Sequence, residues 1–342
     1  MEQRLLGRSG CAVSLLALGT MTFGRETDEA DSFGQLDQFV EAGGTLVDTA
    51  DIYAGSRSES IVGRWLADRP ADVRDRVVVA TKGRFRTGGG PNDLGLSRRH
   101  LSRALDASLR RLQVDAIDLY QVHSFDPLTP LEETVRFFDD AVRAGKIHYF
   151  GLSNYTAWQV QKAVDIAEFR GLTRPVALQP QYNLLAREIE WEIVPACLSE
   201  GLGLLPWSPL GGGWLTGKYR RDERPAAGTR LHDPDTMGVE AYDRRSTIDR
   251  TWDVVDAAME VAEGRGVSMS QVALAWLTAR PGVVSVIIGA RTAEQLTDNL
   301  GAAALRLTGD ETNRLDTASD PGAADYPYGQ FAIDQRDRKL GG

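Results

Sequence analysis

Eight short apolar runs, each followed by a longer amphipathic stretch, restrict what this chain can fold into more than any other feature. The runs are Leu15–Leu18, Thr45–Asp48, Val77–Lys82, Ile117–His123, Ile147–Leu152, Val176–Gln179, Leu204–Trp207 and Val284–Ile288. Helices are expected near 29–42, 59–68, 98–112, 131–144, 156–169, 188–200, 251–265 and 292–302. Strands alternating with helices predict a parallel sheet in an α/β fold, and eight units favour closure into a (β/α)8 TIM barrel. Ser97 precedes Arg98 as an N-cap, Thr129-Pro130 opens another helix with Glu132 and Glu133 in its first turn, and Gly43, Gly44, Gly145 and Gly201 stand where helices stop.

The opening segment Leu5–Val13 reads as a β-hairpin outside the repeat, turning at Arg8-Ser9-Gly10. Two long loops, Gly83–Asn92 and roughly Gly211–Arg250, would leave the C-terminal ends of strands, which is the catalytic face of such barrels. A tail from about residue 318, with Pro321, Gly322 and Pro327, is expected to be irregular. No linker composition divides the 342 residues, so 1–342 is read as one barrel domain.

Net charge of −9 argues against a general nucleic-acid or anionic-membrane binder and leaves room for a local basic pocket. Two cysteines, Cys11 and Cys197, make no disulfide framework. With no signal-peptide pattern and no run long enough to span a bilayer, a cytoplasmic protein is expected. His100, His148 and His232 have no metal-ligand spacing, so no metal site is expected.

The chemistry is concentrated at strand ends. Thr45–Val47 delivers Asp48 and Tyr53 into a loop, Val77–Thr81 ends at Lys82, and Ile117–Val122 ends at His123. A phenol donates a proton to a carbonyl oxygen when a nearby cation makes it acidic enough, and a carboxylate holds that cation in place. Taken singly, each has a structural alternative: a packing tyrosine, a capping aspartate, a surface lysine, a core histidine. Their joint placement at successive strand ends is what points to a carbonyl-reducing site.

At this point the chain resembles the aldo-keto reductase superfamily, from about Leu15 to Leu300. The motifs are Asp48-Thr49-Ala50-Asp51-Ile52-Tyr53 followed by Ser58-Glu59 and Gly63, Thr81-Lys82, Gln121-Val122-His123, Gly151–Tyr155, Gln179–Asn183, Ser208-Pro209-Leu210, and Ile288–Thr292 through Asn299-Leu300. Leu215–Tyr219 makes it most similar to the branch of bacterial general reductases and potassium-channel β-subunit-like proteins.

The resemblance implies Asp48, Tyr53, Lys82 and His123 as catalytic residues: Tyr53 the general acid, Lys82 lowering its pKa, Asp48 orienting Lys82, and His123 placing the substrate oxygen. It implies an NADPH (NADP+) cofactor, since no side chain donates a hydride. The Gly-x-Gly-x-x-Gly fingerprint of a Rossmann domain is absent. Ser153, Asn154 and Gln179 would bind the carboxamide, and Trp207, where the family often has Tyr, would stack on the ring. Thr20 and Asp48 are further residues implied to bind the cofactor. Ser208, Leu210, Gly212 and Lys218 would take the pyrophosphate. Gly289, Arg291, Gln295 and Asn299 would hold the adenosine phosphate, with Arg291 at the helix start gripping the 2′-phosphate.

Phe23, Phe85, Arg86, Phe125 and Trp214 lie just past strand ends and are candidates, beside Tyr53 and His123, to line a substrate pocket. The function implied is NADPH-dependent reduction of aldehydes or ketones to alcohols. Alternatives are a keto-sugar reductase of a biosynthetic pathway, an NADPH-binding redox-sensing auxiliary subunit with slow turnover, and a barrel hydrolase. The partner expected is a small carbonyl compound, with no nucleic acid and no membrane insertion; a homo-oligomer is left open.

Overall fold

A computed structural model describes residues 1–221, 223–232 and 240–329. Strands β1 (Gln3–Leu5) and β2 (Ala12–Ser14) pair antiparallel as the expected hairpin. Eight strands follow: β3 (Leu16–Gly19), β4 (Leu46–Asp48), β5 (Val78–Gly83), β6 (Ile117–Val122), β7 (Ile147–Ser153), β8 (Ala177–Gln179), β9 (Gly203–Leu204) and β10 (Val286–Ile288). They lie parallel in the order β10-β3-β4-β5-β6-β7-β8-β9. Leu204 N donates to Gly282 O (2.8 Å), Val284 N to Leu204 O (2.9 Å) and Ile287 N to Pro206 O (3.0 Å), which closes the first edge onto the last. The result is a (β/α)8 barrel.

The two-residue period of a strand sorts its side chains. In β3, Leu16 and Leu18 pack outward with the helices, whereas Ala17 joins an inner cluster with Leu46, Ala80, Leu119, Ala177, Leu205, Val284 and Ile287. Leu6 and Val13 of the hairpin belong to that inner cluster and stopper the end where the strands begin. The surrounding helices start where their caps predict: Ser97 Oγ accepts from His100 N (3.3 Å) ahead of Arg98–Leu112, and Gly201 ends Ile193–Glu200 in the left-handed conformation (φ +70°).

Three expectations need correction. The strand expected over Leu204–Trp207 stops at Leu204 because Pro206 has no N–H for the ladder; only a bridge from Trp207 to Gln181 continues it. The region 188–200 is a short 3₁₀ turn, Glu188–Glu190, and then a helix, Ile193–Glu200. Among the described residues, two helices of more than one turn were missed, besides the single turns Ala71–Arg74 and Tyr242–Arg245. Met269–Thr278 is buried on nearly every side, so it has no polar stripe to reveal its period, and Gly309–Ser319 begins with a Thr308–Glu311 capping box. The tail therefore stays helical to Ser319 and makes one further turn at Asp325–Tyr328, in which Tyr326 is extended; its last part, 330–342, lies outside the described residues, as does 233–239 of the second long loop. No helix among the described residues is long and apolar enough to cross a membrane.

Candidate active site

Two residues beyond the apolar inner cluster, the same strand faces turn polar. Leu46 is followed by Asp48, Ala80 by Lys82, Leu119 by Gln121 and Ala177 by Gln179, and all eight side chains are nearly or fully buried. Lys82 has three protons to place. They go to Asp48 Oδ1 (2.5 Å), Thr49 O (2.7 Å) and Tyr53 Oη (3.2 Å). Asp48 Oδ2 accepts from Gln179 Nε2 (2.9 Å) and Gln121 Nε2 (3.3 Å). Tyr53 reaches out of this layer, half-buried, with its ring 5.9 Å from that of His123 in an edge-on arrangement. The four residues expected to be catalytic are thus brought together in one cluster.

A hydroxyl chain braces the loop that carries Tyr53. Thr20 Oγ1 lies 2.7 Å from Ser58 Oγ and donates to Asp48 O (3.1 Å), and Thr49 Oγ1 lies 2.9 Å from Ser58 Oγ. Beside it, buried Glu59 accepts from Thr81 Oγ1 (2.6 Å) and Arg111 Nε (2.6 Å).

The electrostatics assign protonation states. Burial pulls on Lys82 to lose its proton, but Asp48 and Tyr53 more than offset this and its pKa lies above the usual lysine range. Burial raises Tyr53 above the usual phenol value, outweighing the pull of Lys82 in the other direction. The expectation that Lys82 lowers the tyrosine pKa therefore holds for its contribution and fails for the net direction. Burial, with Lys82 and Arg84 adding to it, drives His123 well below the ordinary imidazole value, so at neutral pH it is an uncharged ring. Among these groups only Tyr53 has both a proton to give at neutral pH and a cation against its oxygen.

The residues expected around the cofactor occupy one arc, at the ends of β7 to β10. Asn154, in the left-handed conformation (φ +56°), donates to His123 O (2.9 Å) and accepts from Trp207 Nε1 (3.1 Å). Ser153 Oγ donates to Gln179 O (2.8 Å). Trp207 and Leu210 are half-buried and Lys218 is exposed. Gly211, Gly212 and Gly213 all have positive φ, and Gly212 N donates to Ser208 Oγ (3.1 Å). Gln295 Oε1 accepts from Arg291 N (2.9 Å) and Asn299 Nδ2 donates to Gly289 O (3.2 Å), so these two shape the backbone that carries Arg291. Arg291 itself reaches Gly228 O across the second long loop (3.4 Å) and stands 3.9 Å from Glu26. Gly289 is exposed, and a Cβ there would meet nothing within 4 Å. An exposed amide beside a half-buried indole, a run of left-handed glycines, exposed Lys218, and Arg291 with Glu26 only at 3.9 Å fit a dinucleotide. Thr20 is fully buried and holds Asp48 from behind.

The substrate side needs corrections. Phe23 is fully buried in the outer core, and Trp214 is fully buried, stacked on Tyr242 and bonded to Glu240 O. Neither has exposed surface, so neither borders an open cleft in this structure. Phe85 does meet His123, edge-on at 4.6 Å, and Phe125 meets Tyr155 (5.4 Å) and the exposed Trp158 (5.8 Å). Arg86 folds back on the loop carbonyls of Gly88 and Gly90. Sequence reasoning missed Gln121 as a partner of Asp48; its signal was its place two residues before His123 in a strand. It also missed Arg84, which nothing in the pattern distinguishes from Arg86.

Comparison with known proteins agrees with this geometry. Residues 15–320 match the model of the aldo/keto reductase family. The uncharacterized oxidoreductase YrpG of Bacillus subtilis is 39% identical, over 90% of this chain and 92% of that protein. A probable voltage-gated potassium channel subunit beta of Oryza sativa is also 39% identical, over 88% of this chain and 91% of that protein. Versiconal hemiacetal acetate reductase of Aspergillus parasiticus is 33% identical, over 92% and 96%. The chain belongs to the aldo/keto reductase family, and its site is that of an oxidoreductase acting on carbonyl compounds.

Proposed function

We propose that this chain is an NADPH-dependent reductase of aldehydes and ketones in which Tyr53 protonates the carbonyl oxygen. The observation that carries the reading is the Lys82 ammonium shared between Asp48 Oδ1 and Tyr53 Oη. A bound dihydronicotinamide supplies the hydride, and Asn154, Trp207, Ser208, Gly212, Lys218 and Arg291 are the residues to hold the dinucleotide. As negative charge develops on the substrate oxygen, the Tyr53 O–H bond breaks toward it. The phenolate left behind faces Lys82, whose charge is fixed by Asp48. Neutral His123 donates a hydrogen bond to the same oxygen without competing as an acid. Arg291, whose guanidinium meets Glu26 only at 3.9 Å, supports NADPH over NADH.

The test is NADPH oxidation with 4-nitrobenzaldehyde, with NADH run in parallel and Tyr53→Phe as control. Turnover should prefer NADPH and fall by roughly 10²–10⁴-fold in the variant, the usual contribution of a positioned acid. Full activity in Tyr53→Phe would defeat the assignment. A second reading, an NADPH-binding auxiliary subunit, draws on the likeness to the rice channel subunit. Tight NADPH binding with negligible turnover on a panel of carbonyls, keto-sugars included, would favour it.

A further inference from the structure

We propose that Arg84 anchors a negatively charged substituent of the substrate, so that the carbonyl compounds this site selects carry a carboxylate. This rests on the reductase reading of the site and names its substrate class.

Arg84 differs from three arginines that are held by the packing around them. Arg111, Arg187 and Arg245 each meet a carboxylate within 3.0 Å. Among the described residues, Arg84 has no carboxylate at ion-pair distance. Its one hydrogen bond is a long one, from Nη2 to Phe125 O (3.4 Å), and its Nε is buried with no partner. The Asp126 carboxylate feels the Arg84 charge but is bonded to Leu96 N, Leu128 N and Thr129 Oγ1, and a guanidinium taken partly out of water with no carboxylate against it is costly unless something supplies one. A bound carboxylate would, and the planar fork of arginine matches it in two parallel hydrogen bonds.

The position is the right one. Arg84 directly follows β5, the strand that carries Lys82. Its guanidinium lies over the Phe85 ring at 5.0 Å, and the same ring meets His123 edge-on at 4.6 Å. One aromatic ring therefore separates this cation from the group that would hold the substrate oxygen. Its charge is close enough to help keep His123 unprotonated. The backbone at Arg84 has φ +154°, which side-chain-bearing residues rarely adopt, and Gly95 N clamps its carbonyl (2.8 Å). Backbone strain of this kind persists where the surroundings enforce it, and it gathers at ligand sites. A second orphan lies nearby. The Tyr155 hydroxyl is buried without a partner, packed through its ring against Phe125; burial and then Asp126 raise its pKa, with Arg84 opposing, so it keeps its proton. It is a spare donor for the same anion.

The experiment compares 4-carboxybenzaldehyde with its methyl ester, which has the same reacting group and no charge. Each is assayed with NADPH in the wild-type protein, in Arg84→Gln and in Arg84→Lys. Wild-type KM should be lower for the acid than for the ester. Arg84→Gln should raise KM for the acid at least ~10-fold, the scale of losing one charge-assisted pair, and leave the ester within about twofold. Arg84→Lys should recover part of the loss. Equal effects on acid and ester, or a wild-type enzyme indifferent to the charge, would overturn the proposal and assign Arg84 to holding the loop. Calorimetric binding of 4-carboxybenzyl alcohol in the presence of NADP+ needs no turnover. Binding lost in Arg84→Gln with both aldehydes inert in the wild type would sink the reductase reading and keep the anion site. Reduction of both aldehydes, unaffected by Arg84→Gln, would do the reverse.

Discussion

Leu46 and Asp48 lie two residues apart on one face of β4, both out of contact with water, and they belong to different storeys of the barrel. The lower storey is Leu46, Ala80, Leu119 and Ala177 over the hairpin stopper. The upper is Asp48, Lys82, Gln121 and Gln179. Burial does not distinguish them. The lower storey gains from leaving water and asks nothing of geometry beyond volume. The upper storey loses from leaving water and is tolerable only because its donors and acceptors are matched: three partners for the Lys82 ammonium, and amide donors on the second Asp48 oxygen. What remains at its edge is the Tyr53 hydroxyl proton and the His123 ring, the two groups that the proposed mechanism brings against a substrate. A dry, matched charge layer resting on an apolar plug lets a phenol face a fixed cation without water screening it.

The comparison breaks most sharply at Lys82. Lys82→Met puts a side chain of the lower storey into the upper one. Asp48 keeps the two glutamine amides but loses its counter-ion, so the protein should be destabilised by about 3 kcal/mol, the lower end of the range for stranding one partner of a buried pair. Reduction should be nearly abolished as well, because Tyr53 loses the cation against its oxygen. Urea unfolding and NADPH oxidation on one preparation check both. Unchanged stability would mean that the pair contributes nothing to the fold.

Below it, Leu46→Ala should behave the other way. Removing a fully buried leucine from the plug should cost about 2–4 kcal/mol in urea unfolding, depending on how far the cavity collapses. The kcat of the surviving folded fraction should stay within a few-fold. A collapse of kcat at unchanged KM would show that the plug also tunes the site, and the two storeys would no longer be separable.

Much of this division was legible in the sequence. Short apolar runs ending in Asp48, Lys82 and His123 gave both the barrel and the end of it where these polar side chains gather, since strand period and strand direction follow from residue order alone. The rest depends on matters that order does not encode. Gln121 and Gln179 are ordinary strand-end amides until barrel closure points both at one carboxylate oxygen. Phe23 follows a strand as Phe85 does, yet one is fully buried in the core and the other meets His123, because loop path and not strand end decides which aromatic is open. The helix Met269–Thr278 escaped notice because burial on nearly every side erases the amphipathic signal. Pro206 could have shortened its strand in advance: a missing N–H is a property of the residue itself.

The smallest effect tests the matching rule where the upper storey breaks it. Asp51 is fully buried beside this layer, and neither of its carboxylate oxygens has a partner. Burial, with Glu59 adding to it and Arg111 and Lys82 opposing, raises its pKa from 3.8 to about 7. An acid raised on folding holds its proton in the native chain while the unfolded chain has lost it. Native protein then binds more protons than unfolded between pH 4 and 7, and stability falls as pH rises through that window. The gap from 3.8 to about 7 corresponds to roughly 4 kcal/mol, of which ~1–2 kcal/mol should survive relaxation around the buried charge. Asp51→Asn removes the ionisation and keeps the shape. Its advantage over the wild type in urea unfolding should be larger at pH 8 than at pH 5. A difference between the two proteins that does not change with pH would mean that the Asp51 carboxyl is solvated or paired in solution, and the upper storey would then have no exception to its rule.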